Sequence, residues 1–227
     1  VYLTNAPDGS IYVADFYEHY IAHGQHYQSQ IDPNTGRIYR LKSRAAELNT
    51  STDLSILSSD QLIEHLAHPN KWHRQTAVRL LGKITNDNLT KKLIEWTKDK
   101  KNHYALGGLW ALHQSGQLDE NLCVQLLQHP YAGIRSWIVR FLGDKKFISA
   151  STAIELRKLA QKETDLEVWS QIASTVQRID GKKSLPVFAE LLARAGDLED
   201  PYLPLMYWWA IEKHCQNHSA EVLKIFW

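Results

Sequence analysis

The sequence predicts a mostly α protein, an α-solenoid of short helix pairs preceded by a small β segment. Three observations carry this expectation. From Ser58 onward, stretches with apolar residues at helical spacing alternate with short polar turns. Two stretches, HPNKWHRQTAVRLLG and HPYAGIRSWIVRFLG, share one frame 61 residues apart, from His68 to His129. The first forty-odd residues carry turn signals and β-branched, aromatic runs instead.

The β segment, residues 1–44, is read first. Pro7-Asp8-Gly9 is a turn, since proline presets φ and glycine accepts the left-handed position. Ser10–Phe16 follows as a strand, rich in β-branched and aromatic residues and apolar on both faces. An irregular excursion, Tyr17–Ile31, leads to the turn DPNTG and a second strand, Arg37–Leu41. Two or three strands cannot hold themselves together in water, so they need sheet neighbours or helices to cover them. The expected solution is an antiparallel ribbon packed on the first helix pair through Ile38 or Leu41. Residues 45–57 read as a linker.

The helical array is expected over 58–227. Ser58 and Gln61 stand at capping-box spacing, followed by Leu62, Ile63 and Leu66, and Pro69 stops that helix. The next helix carries Ala77, Val78, Leu81 and Ile84 on one face. In the shared frame, His68, Pro69, Arg74, Val78, Leu81 and Gly82 match His129, Pro130, Arg135, Val139, Leu142 and Gly143. Two units of about 30 residues each fill that interval. A second capping box is expected at Thr164 and Glu167. About five helix pairs result, with SAEVLKIFW as a closing half-unit, so the array is expected to run on beyond Trp227. Helix pairs of this period, with Pro before the second helix and a basic residue within it, resemble HEAT repeats of a compact kind.

Composition narrows the function classes. The 227 residues hold Lys+Arg 26 against Asp+Glu 25, a formal charge of +1 that does not suit a nucleic-acid grip. No apolar run reaches the roughly 18–20 residues that span a bilayer. Cys123 and Cys215 form no CxxC, so neither a disulfide framework nor a zinc site is signalled. Val1 is not an initiator methionine and no signal peptide follows, which reads as the middle of something longer.

Four groups of residues invite chemical interpretation. His19, His23 and His26 fall at i, i+4 and i+7, with Asp15 nearby. On a helix this set could ligate a transition metal; Gly24 and the surrounding tyrosines favour an ordinary packed loop. Tryptophans recur in the second helix of each pair, but their phases disagree, which points to core packing. The exception is PYLPLMYWW, where Tyr202, Tyr207 and Trp208 are the candidate interaction surface. Arg74 and Arg135, early in equivalent helices, are expected to tie adjacent repeats together.

One resemblance covers nearly the whole chain. NAPDGSIYVADFY, IAHG and TGRIYRL together resemble the closing blade of the β-propeller in glucose/sorbosone dehydrogenase-like proteins. The segment HYALGGLWALHQSGQLDENLCVQLLQHPYAGIRSWIVRFLGD is similar to the HEAT portion of membrane-bound dehydrogenase-type proteins. Those proteins join such a propeller to HEAT repeats and then to a c-type haem domain. The resemblance implies an extracytoplasmic oxidoreductase with a quinone cofactor and haem c elsewhere in the parent protein. It would place Asp15 and His23 on the ligand side of the propeller rim. The chain lacks CxxCH and most of a propeller, so this segment is expected to hold no cofactor and to catalyse nothing. The expected role is a scaffold that docks the propeller, a haem domain or another protein. A stand-alone HEAT-type interaction module with a β cap is the alternative. Neither nucleic acid nor a membrane span enters either reading.

Overall fold

The computed structural model describes residues 2–15, 36–45, 48, 50–193 and 200–226. By internal contacts the chain divides into two units, Val1–Ile84 and Thr85–Trp227. No helix among the described residues is long and apolar enough to cross a membrane.

The first unit begins with three strands, β1 (Tyr2–Asn5), β2 (Ile11–Ala14) and β3 (Ile38–Leu41), in the order β1-β2-β3. Both pairings are antiparallel, with Leu3 opposite Val13 opposite Tyr39, and Asn5 opposite Ile11 opposite Leu41. β1 was not separately expected. Its four residues YLTN carry too little alternation to be read without a partner. The Pro7–Gly9 turn forms as anticipated: Ala6 N–H donates to Ser10 O at 2.8 Å, and Gly9 sits at φ +91°. Beyond β2, Asp15 N–H donates to Arg37 O at 2.8 Å and extends the ribbon.

How the sheet meets the helices differs from expectation. Ile38 is 76% exposed and Leu41 57% exposed, so neither packs on the first helix pair. The join is polar and runs through the turn. Asn70 Nδ2 donates to Ala6 O at 2.8 Å, and His73 Nε2 donates to Pro7 O at 2.8 Å. Ala6 is buried there. Turn carbonyls have no ladder partner and must be satisfied elsewhere, which is why the contact falls at the turn.

In the remainder of the first unit, a 3₁₀ turn (Leu54–Ile56) lies within the stretch read as linker and packs on α2 (Lys71–Leu81). The predicted capping box starts α1 (Ser59–His65): Gln61 N–H donates to Ser58 Oγ, and Ser58 N–H to Gln61 Oε1. Leu62, Leu66, Ala77, Val78 and Leu81 form the local core. Ile84, expected on that face, lies past the helix end and is exposed.

The second unit holds α3 (Asp87–Asp99), α4 (Ala105–Gln114), α5 (Glu120–Leu126), α6 (Ala132–Asp144), α7 (Ala150–Lys162), α8 (Leu166–Val176), α9 (Gly181–Ala193) and α10 (Leu203–Phe226). Consecutive helices pair, α3 with α4 and α5 with α6. First helices stack on first helices (α5 on α7 on α9), and second on second (α4 on α6 on α8 on α10). This layering is the solenoid plan, with one face of each pair buried by the next pair. Fully buried Leu93, Leu112, Ile138, Leu142 and Phe188 mark the core.

One boundary differs from the sequence reading and one coincides with it. α8 is capped by Asp165, whose Oδ1 accepts from Glu167 N and Val168 N, so the expected Thr164–Glu167 box does not form. Thr164 N–H is taken instead by the Glu163 carboxylate. In α10 the backbone leaves helical values at His218 (φ −139°, ψ 37°), just before the predicted half-unit SAEVLKIFW.

Candidate functional site

The shared frame is explained by the chemistry of the interhelical turn. His68 Nδ1 accepts from Asn70 N–H at 3.0 Å, and His129 Nδ1 from Tyr131 N–H at 3.1 Å. Arg74 Nη1 donates to the carbonyls of His68 and Pro69 at 2.7 and 2.8 Å. Arg135 Nη1 donates to those of His129 and Pro130 at 2.8 and 3.1 Å. The basic residue therefore first closes its own turn, binding carbonyls left over at the end of the preceding helix. Proline fits between because it brings no N–H that would need an acceptor. Arg135 also reaches the next repeat, donating from Nε and Nη2 to Glu163 at 2.6 and 2.7 Å. Burial pushes the Glu163 carboxyl up, but the Arg135 fork and the N–H groups of Asp165 and Thr164 bring it below its ordinary value. His129 Nε2 donates to Thr97 O at 3.0 Å, linking this turn to α3.

The sequence-predicted metal or ligand set is only partly visible. Asp15 is half-buried at the end of β2, and His19, His23 and His26 lie outside the described residues. Among the described residues, no group of three or more His, Cys, Asp or Glu is arranged to hold a metal ion. His65, His68 and His73 do cluster, with ring centroids 4.1–5.7 Å apart. His68 stacks on both of the others, and in-plane lone pairs of stacked rings do not converge on one point.

Two arrangements suggest nucleophilic chemistry and do not support it. Ser184 Oγ lies 3.1 Å from His214 Nε2, but that nitrogen donates its hydrogen to Val176 O at 2.7 Å. It therefore has no lone pair with which to take a proton from the hydroxyl, and both residues are buried. Cys123 is buried with its thiol pushed up to about 11, far from the thiolate a nucleophile needs. Neither cysteine belongs to a CxxCH.

What the described residues do present is exposed apolar surface, of two kinds. The sheet shows it on both faces: Leu3, Tyr39, Ile11 and Leu41 on one, Tyr2, Tyr12 and Ile38 on the other. The second surface is at the start of α10, where Tyr202, just before the helix, is 72% and Trp208 58% exposed, flanked by Leu205 and Trp209. Tyr207 belongs to the core rather than to that surface, since its ring meets Phe188 edge-on at 5.9 Å. Four other tryptophans are structural. Trp169 Nε1 donates to Glu163 O and Trp96 Nε1 to Tyr104 O, while Trp110 and Trp137 meet edge to face at 5.3 Å. The His68–His73 cluster and the polar pin on the turn were missed by sequence reading. The repeated His-Pro pair was their one available signal.

Comparison with known proteins adds one match. A family model described as a domain of unknown function, DUF7133, matches residues 1–45, a span that contains all three described strands. No curated protein and no solved structure matches the chain.

Proposed function

We propose that the chain is a non-catalytic docking segment, with the helical array as scaffold and the sheet as a seat for further β structure. One observation carries this reading: the sheet is apolar and exposed on both faces, and its turn is what hydrogen-bonds to α2. A sheet of this size with two wet apolar faces is built to be covered. The resemblance to propeller-type dehydrogenases names the cover, neighbouring propeller blades. In that reading the parent protein is extracytoplasmic, and its quinone cofactor and haem c bind outside these residues. Sequencing the gene around the codons for Val1 and Trp227 tests this directly. Propeller blades upstream and CxxCH downstream support it; a start codon at Val1 overturns it. Turnover of an artificial electron acceptor by the purified chain, lost in His23→Ala, would also overturn it.

A second reading, a stand-alone HEAT-type module with a β cap, is favoured by the exposed Tyr202, Trp208 and Trp209 at the start of α10. Under it, Trp208→Ala weakens partner binding and the pair Ile38→Lys, Leu41→Lys leaves it unchanged. Under the first reading the effects are reversed.

A further inference from the structure

We propose that the imidazole cluster of His65, His68 and His73 is an acid-sensitive latch that holds the N-terminal sheet on α2 near neutral pH and releases it on protonation. The hydrogen-bond partners fix the role of one nitrogen in each ring. Gln61 O can only accept, so His65 Nδ1 is the donor at 2.8 Å. Asn70 N–H can only donate, so His68 Nδ1 must carry a lone pair. Pro7 O can only accept, so His73 donates from Nε2, and its buried Nδ1 has no partner. The His68 Nδ1 lone pair that accepts from Asn70 N–H exists only while that ring is neutral.

Protonation disturbs both bonds that hold the sheet. A proton on His68 Nδ1 would face the N–H of Asn70, whose side chain caps α2 and also donates to Ala6 O. Losing that turn withdraws the Asn70 pin. A proton on His73 Nδ1 would bury an N–H with no acceptor, and the charge-assisted gain at Pro7 O does not supply one. The ring of His68 is 4.1 Å away, centroid to centroid, and Arg74 lies against the His68 carbonyl, so added positive charge meets positive charge. Among the acidic groups on the surrounding elements, α1 carries Asp60 and Glu64, and two others are engaged elsewhere. Asp8 holds Ser10 and Arg40 of the sheet, and Asp53 caps the 3₁₀ turn through Ser55. Burial, followed by His73, His65 and Arg74, places the His68 imidazole below its ordinary value. The latch is therefore closed above about pH 6.5 and opens as pH falls below that.

The test is amide hydrogen exchange of β1, β2 and β3, corrected for the intrinsic pH dependence, with α5–α6 amides as an internal reference. One linked proton changes the opening equilibrium by at most ten-fold per pH unit. Opening of the sheet should therefore rise by about ten-fold between pH 7.5 and 5.0. The variant His68→Asn with His73→Gln keeps an acceptor for Asn70 and a donor for Pro7 but cannot titrate, and its opening should change by less than about two-fold. In the unaltered chain, the Asn70 side-chain amide resonances should titrate together with the His68 ring proton. An equal rise in both proteins, no rise in the unaltered chain, or Asn70 resonances that ignore His68 would overturn the proposal.

Discussion

Removing the Arg135 side chain should be among the most damaging single changes in the second unit. Its side chain is only 15% exposed and that of Glu163 only 2%. Arg135→Ala therefore strands a buried carboxylate and also leaves the carbonyls of His129 and Pro130 without their donor. Breaking such a pair from one side costs about 3–5 kcal/mol. That is a large share of the roughly 5–15 kcal/mol that holds a domain together. Urea unfolding followed by circular dichroism at 222 nm gives the loss directly.

The pH dependence makes the reasoning sharper. In the unaltered chain Glu163 is held below its ordinary value, so its contribution is present above about pH 4.5 and is lost as pH falls through the folded value. In Arg135→Ala, burial is opposed only by the Thr164 and Asp165 N–H groups, and as the largest influence on Glu163 it should lift the carboxyl above its ordinary value. Stability of the variant should then fall as pH rises above about 4.5, the opposite slope. Adding Glu163→Gln should recover part of the loss and flatten the slope. A loss under about 1 kcal/mol, or a variant whose slope matches that of the unaltered chain, would refute the argument.

Further outcomes follow from the same geometry. Asp165→Ala should cost about 1 kcal/mol by uncapping α8, while Thr164→Ala should be close to neutral; thermal melts of the two variants decide which residue is the cap. His129→Ala should cost about 1–3 kcal/mol, and His129→Asn less, because Asn keeps an acceptor for Tyr131 N–H. Burial and then Arg135 keep the His129 imidazole below its ordinary value, so its contribution is present above about pH 6.5 and is lost as pH falls; denaturation at pH 7.5 and 5.5 checks the sign. A thiol titration at pH 8 should count one reactive cysteine, the exposed Cys215, with Cys123 reacting only on unfolding.

The array was legible because periodicity and turn chemistry agreed. Leu62 and Leu66 face inward as their spacing requires, and Ser58 with Gln61 forms the capping box it spells. The shared frame marked Arg74 and Arg135 before any contact was known. It did not show that each first serves its own turn, because carbonyl acceptors leave no trace in side-chain identity. Thr164 misled because hydroxyl and carboxylate compete for the same N–H groups, and Asp165 stands one residue nearer. Tyr207 misled for a related reason. PYLPLMYWW carries four aromatic residues, and the packing of Phe188 separates buried Tyr207 from exposed Tyr202, Trp208 and Trp209.

The sheet was legible as strands but not in its attachment, and that attachment bears on function. Two hydrogen bonds to α2 contribute about 1 kcal/mol each. Covering the exposed side chains of Ile38 and Leu41 would contribute about 1.5–3 kcal/mol each. β structure that covered both faces and buried those two residues would therefore outweigh the present pin, before Leu3 and Ile11 on the Leu41 face are added. The helix contact orients the sheet without owning it. In the docking reading, α2 holds the strands in register through their turn while the faces wait for a stronger partner. An acid-sensitive latch placed at that weak joint would act where a small free-energy change moves the sheet. Ile38→Lys with Leu41→Lys should accordingly leave the stability of the isolated chain within about 0.5 kcal/mol. The same pair of changes should abolish any gain that a covering β partner brings. A large loss in the isolated chain would mean that those side chains are already packed, and the sheet would then be a cap rather than a seat.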